Sequence, residues 1–329
     1  MRKTCFTIGI IVALLVGFAA VGFAAPKWVL KVGTVTAPEH SYNLGVKYFA
    51  DIVEKETGGQ VTIELFPNSI LGDEDDLIEG MQLGTIDMAV AATAKLSGFV
   101  PEVDLFSLPF LFRDNDHWAK VLDGPQGDCM TEIIESKSEL KVLGYWGCGT
   151  RMLFNSQRPV VTPDDLRGLK IRTMPGPVDI QTWKDLGAIP TPVAWPELYS
   201  ALKQKVVDGA ENDPANIIQQ KFFEPCPYIS LTDHQIAVRL FLVAKLTWDK
   251  LPQDIQEIIE RAAVEATAYQ REVDALSVDE GLEVLEQKYG AKINKVDKAQ
   301  FIELTEAVRQ ETAVKLGLED MYKAILETK

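Results

Sequence analysis

Apolar and polar residues alternate in two distinct patterns along the first two thirds of the chain. Residues 28–35 read as a strand, and residues 44–57 carry apolar side chains on one helical face before Gly58 and Gly59 end the segment. Further strands are predicted at residues 61–66, 86–91, 142–146, 151–154, 169–172, 207–211 and 237–244. Further helices are predicted at residues 74–83, 116–122, 127–136, 178–186, 196–203 and 215–223. This alternation indicates α/β lobes.

The last third of the chain is rich in helix. Between Pro252 and Tyr289 the only glycine is Gly281 and no further proline occurs, which predicts one very long helix or a broken pair. About 300 residues also exceed what a single hydrophobic core usually spans. Because no linker rich in Pro, Gly or Ser divides the chain, we expect two lobes joined by several crossing segments, with the long helix running along both.

The amino terminus has the layout of a signal peptide. Arg2 and Lys3 precede a charge-free apolar stretch at residues 6–25, and cleavage is predicted after Ala24. The alternative is an uncleaved membrane anchor, since a spanning helix needs about 20 apolar residues. Cys5 precedes the apolar stretch, so it is not placed to carry the lipid of a lipoprotein. An exported, periplasmic protein is expected.

Composition and motifs exclude several functions. The 33 basic and 48 acidic residues become 31 and 48, a net charge of −17, once Arg2 and Lys3 are removed with the leader, so nucleic acid is not an expected partner. Cys129, Cys148 and Cys226 can form one disulfide at most, and their spacing matches no metal site. Without HExxH, CxxC, GxSxG or a phosphate-binding glycine loop, neither a metal nor a cofactor is predicted.

Two arginines stand out as candidate anion-binding residues. Arg172 ends the predicted strand at residues 169–172, where open α/β sheets place their ligands, and Arg151 follows a glycine-rich turn. The planar guanidinium binds a carboxylate through two parallel hydrogen bonds and remains charged. On spacing alone, an arginine at either position is more often an ordinary surface or inter-strand residue.

Several motifs in register resemble those of one transport family. The segments PDDLRGLKIR at 163–172, LGAIP at 186–190, ELYSAL at 197–202 and VVDGAEN at 206–212 are similar to the solute-binding subunits of tripartite ATP-independent periplasmic (TRAP) transporters. That family includes binders of sialic acid and of C4-dicarboxylates. The resemblance covers essentially the whole mature chain and is most specific over 166–212.

The resemblance implies an α/β fold of the periplasmic-binding-protein type, with two lobes, crossing hinge strands and a long helix spanning both. We expect lobe I to comprise residues 25–149 and about 238–277, and lobe II to comprise residues 150–237 and 278–329. It implies a monomer that closes around a small carboxylate ligand and docks on an integral membrane permease with one small and one large subunit.

The resemblance also assigns roles to individual residues. Arg172 matches the family's carboxylate-binding arginine, and Arg151 matches a second arginine that assists it in several members. Asn212 matches an asparagine that hydrogen-bonds the ligand's acid group. Trp195 stands where many members have a phenylalanine against the ligand, and its alternative interpretation is a packing tryptophan.

Other positions bear on which acid is bound. Glu74, His40 and Tyr42 lie on segments expected to face the cleft, although acids at the start of a helix, as at Glu74, are more often simply solvated. Ala92 and Lys95 replace an acid and an arginine of the sialic acid binders, which argues against sialic acid.

The sequence thus predicts a solute-binding protein for a sugar acid such as a uronate, with a C4-dicarboxylate as the alternative ligand. Two other functions stay open. One is a periplasmic enzyme acting on an organic acid with Glu74 or His40 as a general base. The other is a binding subunit that serves a signalling receptor rather than a permease.

Overall fold

A computed structural model describes residues 26–329 of the chain, apart from the side chain of Asp279. The predicted signal peptide at residues 1–24 and Cys5 lie outside these residues. In the part that is described, no helix combines the length and the apolar character needed to cross a membrane.

Helices and strands alternate along most of the chain, as the sequence predicted. The strands are β1 Trp28–Gly33, β2 Val61–Phe66, β3 Met88–Ala92, β4 Leu140–Asn155, β5 Lys170–Thr173, β6 Ile189–Pro192, β7 Gly209–Asn212, β8 Tyr228–Ala244 and β9 Lys292–Lys295. The helices are α1 Ser41–Glu56, α2 Glu74–Leu83, α3 Thr93–Leu96, α4 Asn115–Leu122, α5 Pro125–Lys137, α6 Pro177–Asp185, α7 Leu198–Lys203, α8 Pro214–Gln219, α9 Lys245–Trp248, α10 Gln253–Gln287, α11 Lys298–Leu304, α12 Glu306–Leu316 and α13 Glu319–Glu327. Short 3-10 segments occur at Pro101–Ser107, Pro163–Leu166 and Trp195–Glu197.

The strands form one mixed sheet in the order β2-β1-β3-β8-β4-β7-β5-β6, with β9 paired to β8. Strands β1, β2 and β3 are mutually parallel through helical crossovers, as are β5, β6 and β7. We call the end formed by β2, β1 and β3, with the adjoining halves of β8 and β4, lobe I. We call the end formed by β7, β5, β6 and β9, with the other halves of β4 and β8, lobe II. The two-lobed α/β prediction is confirmed.

The long antiparallel strands β4 and β8 cross from one lobe to the other. Leu140 pairs with Ala244 in lobe I, and Asn155 pairs with Tyr228 in lobe II. Their register shifts between Gly147 and Thr150, where β4 has one more residue than β8 and forms a bulge. The sequence therefore showed two separate strands where the structure has one, because the glycines of the bulge interrupt the two-residue period and look like a turn.

Helix α10 is a single helix of 35 residues, which settles the choice between one helix and a broken pair. At 1.5 Å per residue it is about 52 Å long. Ile259 and Ala263 pack in the apolar cluster beneath α1 of lobe I, whereas Leu285 packs in a cluster of lobe II. Between these ends, Gln270 and Asp274 bind the backbone of the β4 bulge.

The last two helices return to lobe I. Ala313 of α12 and Ile325 of α13 belong to the apolar cluster that contains α5 and the Pro101–Ser107 segment. The ring of His117 lies within hydrogen-bonding distance of the carbonyl of Ile325, at 2.8 Å. From the sequence, all residues from 278 to 329 were expected to lie in lobe II. The packing of α12 and α13 on lobe I was not expected, because the pattern of apolar residues in a helix does not indicate which lobe its apolar face will contact.

Candidate functional site

A cavity lies between the lobes, beside the crossing strands. Its wall combines charged, amide and apolar side chains from both lobes. The lining residues are Val35, Thr36, Tyr42, Asp73, Glu74, Lys95, Arg151, Arg172, Met174, Trp195, Asn212, Asn216 and Arg239. Six of the seven predicted site residues are in this wall, and His40 is not.

Arg172 projects into the cavity from β5 with only 2% of its surface exposed. Its Nε donates to the carbonyl of Val193 at 2.8 Å, which fixes the plane of the guanidinium. In the part of the chain that the structure describes, Nη1 and Nη2 have no acceptor and the group forms no ion pair. Burial lowers the pKa of Arg172 to about 10, although the charge of Glu211 acts against this. The group therefore remains cationic at neutral pH with two donors free for an anion.

Arg151 is paired with a protein carboxylate. It lies on β4, and Glu211 lies on the neighbouring strand β7 as its diagonal neighbour on the same face. The Nη2 atom donates to Glu211 Oε1 at 2.9 Å, and Nε donates to Oε2. Burial alone raises the pKa of Glu211, but the charge of Arg151 and a hydrogen bond from His234 outweigh it and hold the pKa at about 2. The ion pair is therefore charged at all physiological pH values.

Asn212 is oriented so that its amide nitrogen can donate to a ligand. Its Oδ1 accepts from Arg151 Nη1 at 3.2 Å, from Asn216 Nδ2 at 3.2 Å and from the backbone amide of Asp213 at 2.9 Å. These donors determine which side of the amide carries oxygen. Its Nδ2 donates to no other residue in the region from 26 to 329, so this donor is available in the cavity.

Trp195 connects the two lobes. Its Nε1 donates to the carbonyl of Val35, just after β1, at 3.1 Å. The indole also packs edge to face on Phe222 in lobe II, with ring centroids 5.5 Å apart. Both interpretations of this tryptophan are consistent with its position, because the ring lines the cavity and packs against the cores of both lobes.

Glu74 and Arg239 form a second buried ion pair in the wall, on the lobe I side. Glu74 Oε1 accepts from Arg239 Nη1 at 3.2 Å, and Oε2 accepts from the backbone amide of Ala92 at 3.2 Å. Arg239 was not among the site residues predicted from the sequence. A signal existed, because Arg239 is a lone charge in an apolar run at residues 237–244, and buried charges in strands require a partner.

His40 and Tyr42 stand at the start of α1. Tyr42 lines the cavity, and its ring lies 5.8 Å from the guanidinium carbon of Arg239. His40 instead caps α1, where its Nδ1 accepts from the backbone amide of Tyr42 at 3.3 Å. Burial lowers the pKa of His40 to about 4, against the raising effect of Asp213. The ring is neutral at pH 7.

Lys95 enters the cavity wall at the position that argued against sialic acid. Its Nζ lies 2.8 Å from Asp73 Oδ2 and 2.5 Å from Asp75 Oδ2, at the start of α2. Ala92 contributes a backbone amide, which donates to Glu74. The acids at the start of α2 therefore form ion pairs with cations that line the cavity. This differs from the alternative expectation that acids at a helix start are simply solvated.

No group of three or more His, Cys, Asp or Glu side chains in residues 26–329 is arranged to hold a metal ion. Cys129, Cys148 and Cys226 are all unpaired there.

The chain matches one family model over most of its length. The model described as "Bacterial extracellular solute-binding protein, family 7" (DctP) matches residues 32–316. The 2,3-diketo-L-gulonate-binding periplasmic protein YiaO of Escherichia coli K12 is 35% identical over 302 residues, covering 92% of this chain and 91% of that protein.

Solved structures with the same fold hold small acids. A TRAP periplasmic solute-binding protein from Polaromonas sp. JS666, bound to D-erythronate, superposes with a TM-score of 0.88 at 35% identity, covering 92% of this chain and 99% of that one. Another from Sulfurospirillum deleyianum, with bound succinate, has a TM-score of 0.88 at 33% identity and covers 92% and 100%. Such proteins bind the substrates of transporters and are not enzymes, which confirms the prediction of binding rather than catalysis. The chain belongs to the bacterial extracellular solute-binding proteins of family 7, the DctP-type solute-binding proteins of TRAP transporters.

Proposed function

We propose that this protein captures a polyhydroxylated monocarboxylate, a sugar acid such as a uronate, with the ligand's carboxylate on Arg172. The observation that carries the proposal is the buried guanidinium of Arg172, whose two Nη donors have no acceptor in the described part of the chain. A buried cation without a partner is costly, and a carboxylate in the cavity supplies both the charge and the two acceptors.

The balance of charge in the wall favours a single carboxylate on the ligand. Arg151 is neutralised by Glu211, Arg239 by Glu74, and Lys95 by acids of α2. Of the cations lining the cavity within residues 26–329, only Arg172 lacks an acidic partner within ion-pairing distance. One unpaired positive charge matches one negative charge on the ligand.

The rest of the wall suits hydroxyl groups. A hydroxyl both donates and accepts, and the cavity offers donors and acceptors side by side. Asn212 Nδ2 is a free donor, while the carboxylates of Asp73 and Glu74 are acceptors at the wall. The apolar indole of Trp195 offers a flat surface for a carbon chain or sugar ring.

The ligands of the relatives include polyhydroxylated monocarboxylates, in agreement with the proposal, and also one dicarboxylate. D-erythronate and 2,3-diketo-L-gulonate are polyhydroxylated monocarboxylates of different length, whereas succinate is a C4-dicarboxylate. A dicarboxylate is the second candidate ligand, because Arg151 and Arg239 lie in the same wall and offer further donors.

The same arrangement supports transport by closure of the lobes. The proposed lobe boundaries, near residues 149, 237 and 277, cut β4, β8 and α10 at one level of the fold, next to the β4 bulge. Gly149 in that bulge has φ +59, and Asp274 of α10 accepts its amide hydrogen bond at 2.7 Å. Closure around the acid in the periplasm would present a surface spanning both lobes to the membrane permease of a TRAP transporter.

The test begins with identification of the ligand. Mass spectrometry of small molecules retained by the purified protein, followed by calorimetry against D-glucuronate, D-gluconate, D-erythronate and succinate, should show binding of polyhydroxylated monocarboxylates. Tight binding of succinate with no measurable binding of any hydroxylated monocarboxylate would contradict the proposal. Co-purification with the permease subunits in the presence of the bound acid tests the partner, and cell fractionation tests the location.

A further inference from the structure

The Glu74–Arg239 pair lies on the side of the cavity opposite the strand of Arg172. Arg239 is on β8, Arg172 is on β5, and β4 and β7 lie between these strands in the sheet. Glu74 begins α2 of lobe I. A ligand whose carboxylate is held by Arg172 therefore extends its other end toward Glu74 and Arg239.

Arg239 is buried and incompletely satisfied. Only 7% of its surface is exposed, and its Nε has no hydrogen-bond partner in the described region. Nη1 donates to Glu74, and Nη2 reaches only the thiol of Cys148, at 3.8 Å. Glu74 is thus the one carboxylate that forms an ion pair with this guanidinium among the side chains that the structure describes.

We propose that Glu74 sets the specificity for the distal end of the ligand by neutralising Arg239. The proposal rests on the proposed function, because it assumes an acid anchored on Arg172. With Glu74 ionised, the pair is electrically neutral and presents a donor and an acceptor together, which suits a hydroxyl or a carbonyl. A second carboxylate at this end would be repelled by Glu74 and would have to compete with it for Arg239.

Removal of the charge of Glu74 should shift the preference of the protein toward dicarboxylates. In Glu74→Gln, the amide has nearly the same shape and can still accept from the amide of Ala92, but Arg239 loses its counter-ion. A carboxylate at the distal end of the ligand would then take the place of Glu74. The variant should therefore gain affinity for dicarboxylates relative to monocarboxylates.

Ligand pairs that differ only at the distal carbon make the measurement direct. D-gluconate and D-glucarate form one pair, and D-erythronate and meso-tartrate form a shorter one, because in each pair the terminal CH2OH becomes a carboxylate. Calorimetry should show that the wild-type protein prefers the monocarboxylate of the pair it binds. In Glu74→Gln the ratio of the two dissociation constants should shift toward the dicarboxylate by about 10-fold or more.

Two further variants test whether the shift comes from the charge of Glu74 or from a general disturbance of the protein. Glu79→Gln removes one negative charge from the exposed face of the same helix, at a side chain that forms no ion pair in the part of the chain that the structure describes, so the ratio should stay within about twofold of wild type. The double variant Glu74→Gln with Arg239→Met removes both charges of the pair. It should return the ratio toward the wild-type preference, because the distal end is neutral again.

The outcomes distinguish this inference from the proposed function. If the wild-type protein binds no member of either pair and no other hydroxylated monocarboxylate, the proposed function fails and this inference fails with it. If the wild type binds a monocarboxylate but Glu74→Gln leaves the ratio unchanged, only the role of Glu74 is overturned. An equal shift in Glu79→Gln would also overturn it, since the effect would then be general electrostatics. If Glu74→Gln does not fold, two variants remain: the double variant and Arg239→Met alone. They still test whether the charge of Arg239 determines the ratio of the two dissociation constants.

Discussion

Arg151 and Glu211 form a buried two-point ion pair between adjacent strands, with Arg151 Nη2 and Glu211 Oε1 2.9 Å apart. Because of this pair, the two predicted arginines have different roles. Arg151 is held by a protein carboxylate and orients Asn212 through Nη1, whereas Arg172 keeps its Nη donors for the cavity. The ligand's carboxylate is therefore expected to depend on Arg172 far more than on Arg151.

Replacement of Arg172 by Lys should weaken binding of the acid by about 100-fold, because an ammonium supplies the charge without the two parallel donors. The fold should be unchanged, since the stem of the side chain still fills its place. Isothermal titration calorimetry measures the affinity, and circular dichroism checks the fold. Arg167→Lys is the matched control, because Arg167 is exposed and pairs only with Asp164. Equal affinities for wild type and Arg172→Lys would remove Arg172 from the site.

Glu211→Gln should destabilise the protein by about 3 kcal/mol, because it leaves the buried charge of Arg151 without its counter-ion. Urea unfolding without ligand measures this change. Asp164→Asn removes an exposed acid that pairs only with exposed Arg167, and its effect should be within about 0.5 kcal/mol of zero. If the two substitutions cost the same, the Arg151–Glu211 pair is not a stabilising element of the lobe II wall.

Trp195→Phe should reduce ligand affinity by about fivefold, which corresponds to one hydrogen bond of about 1 kcal/mol. The phenyl ring keeps the apolar wall but cannot donate to Val35, so the contact between the lobes is weakened. Small-angle scattering of the ligand-free protein should show a larger radius of gyration in the variant. Tyr199→Phe is the control, because its hydroxyl bonds Glu224 within lobe II. Identical affinity and radius in Trp195→Phe and wild type would show that this contact does not stabilise closure.

Local patterns in the sequence were sufficient to predict those features of the fold and the site that depend only on residues close together in the chain. The end of a predicted strand located Arg172, and the absence of helix breakers located α10. The pairing of Arg151 with Glu211 was out of reach, because it depends on the register of β4 against β7 across about sixty residues. The same limit hid the ion pair of Glu74 with Arg239.

Pairing between distant strands also explains why only half of β8 was predicted from the sequence. The predicted strand at residues 237–244 is the lobe I half of β8, which is uniformly apolar apart from Arg239 because both faces are covered. The other half contains several polar residues, such as Ser230, Thr232 and His234. Those polar side chains are satisfied by distant partners, including Asn294 on β9 and Glu211 on β7, so nothing local marked them as buried.

His40→Asn should remove a loss of stability that occurs as the pH falls. The pKa of buried His40 is about 4 in the folded protein, below its ordinary value of 6.5, because burial and Arg239 disfavour the charged ring despite nearby Asp213. As the pH falls from 7 to 4, the unfolded chain therefore binds a proton that the folded chain does not, and wild-type stability decreases by about 3 kcal/mol from this group alone. Asparagine is a good N-cap and can still accept from the amide of Tyr42 without titrating. Urea unfolding of both proteins at pH 7 and pH 4 measures the difference, in which the other titrating groups cancel. The variant should equal wild type at pH 7 within about 1 kcal/mol and exceed it at pH 4, whereas parallel stability profiles would show that His40 is protonated in the folded state without cost.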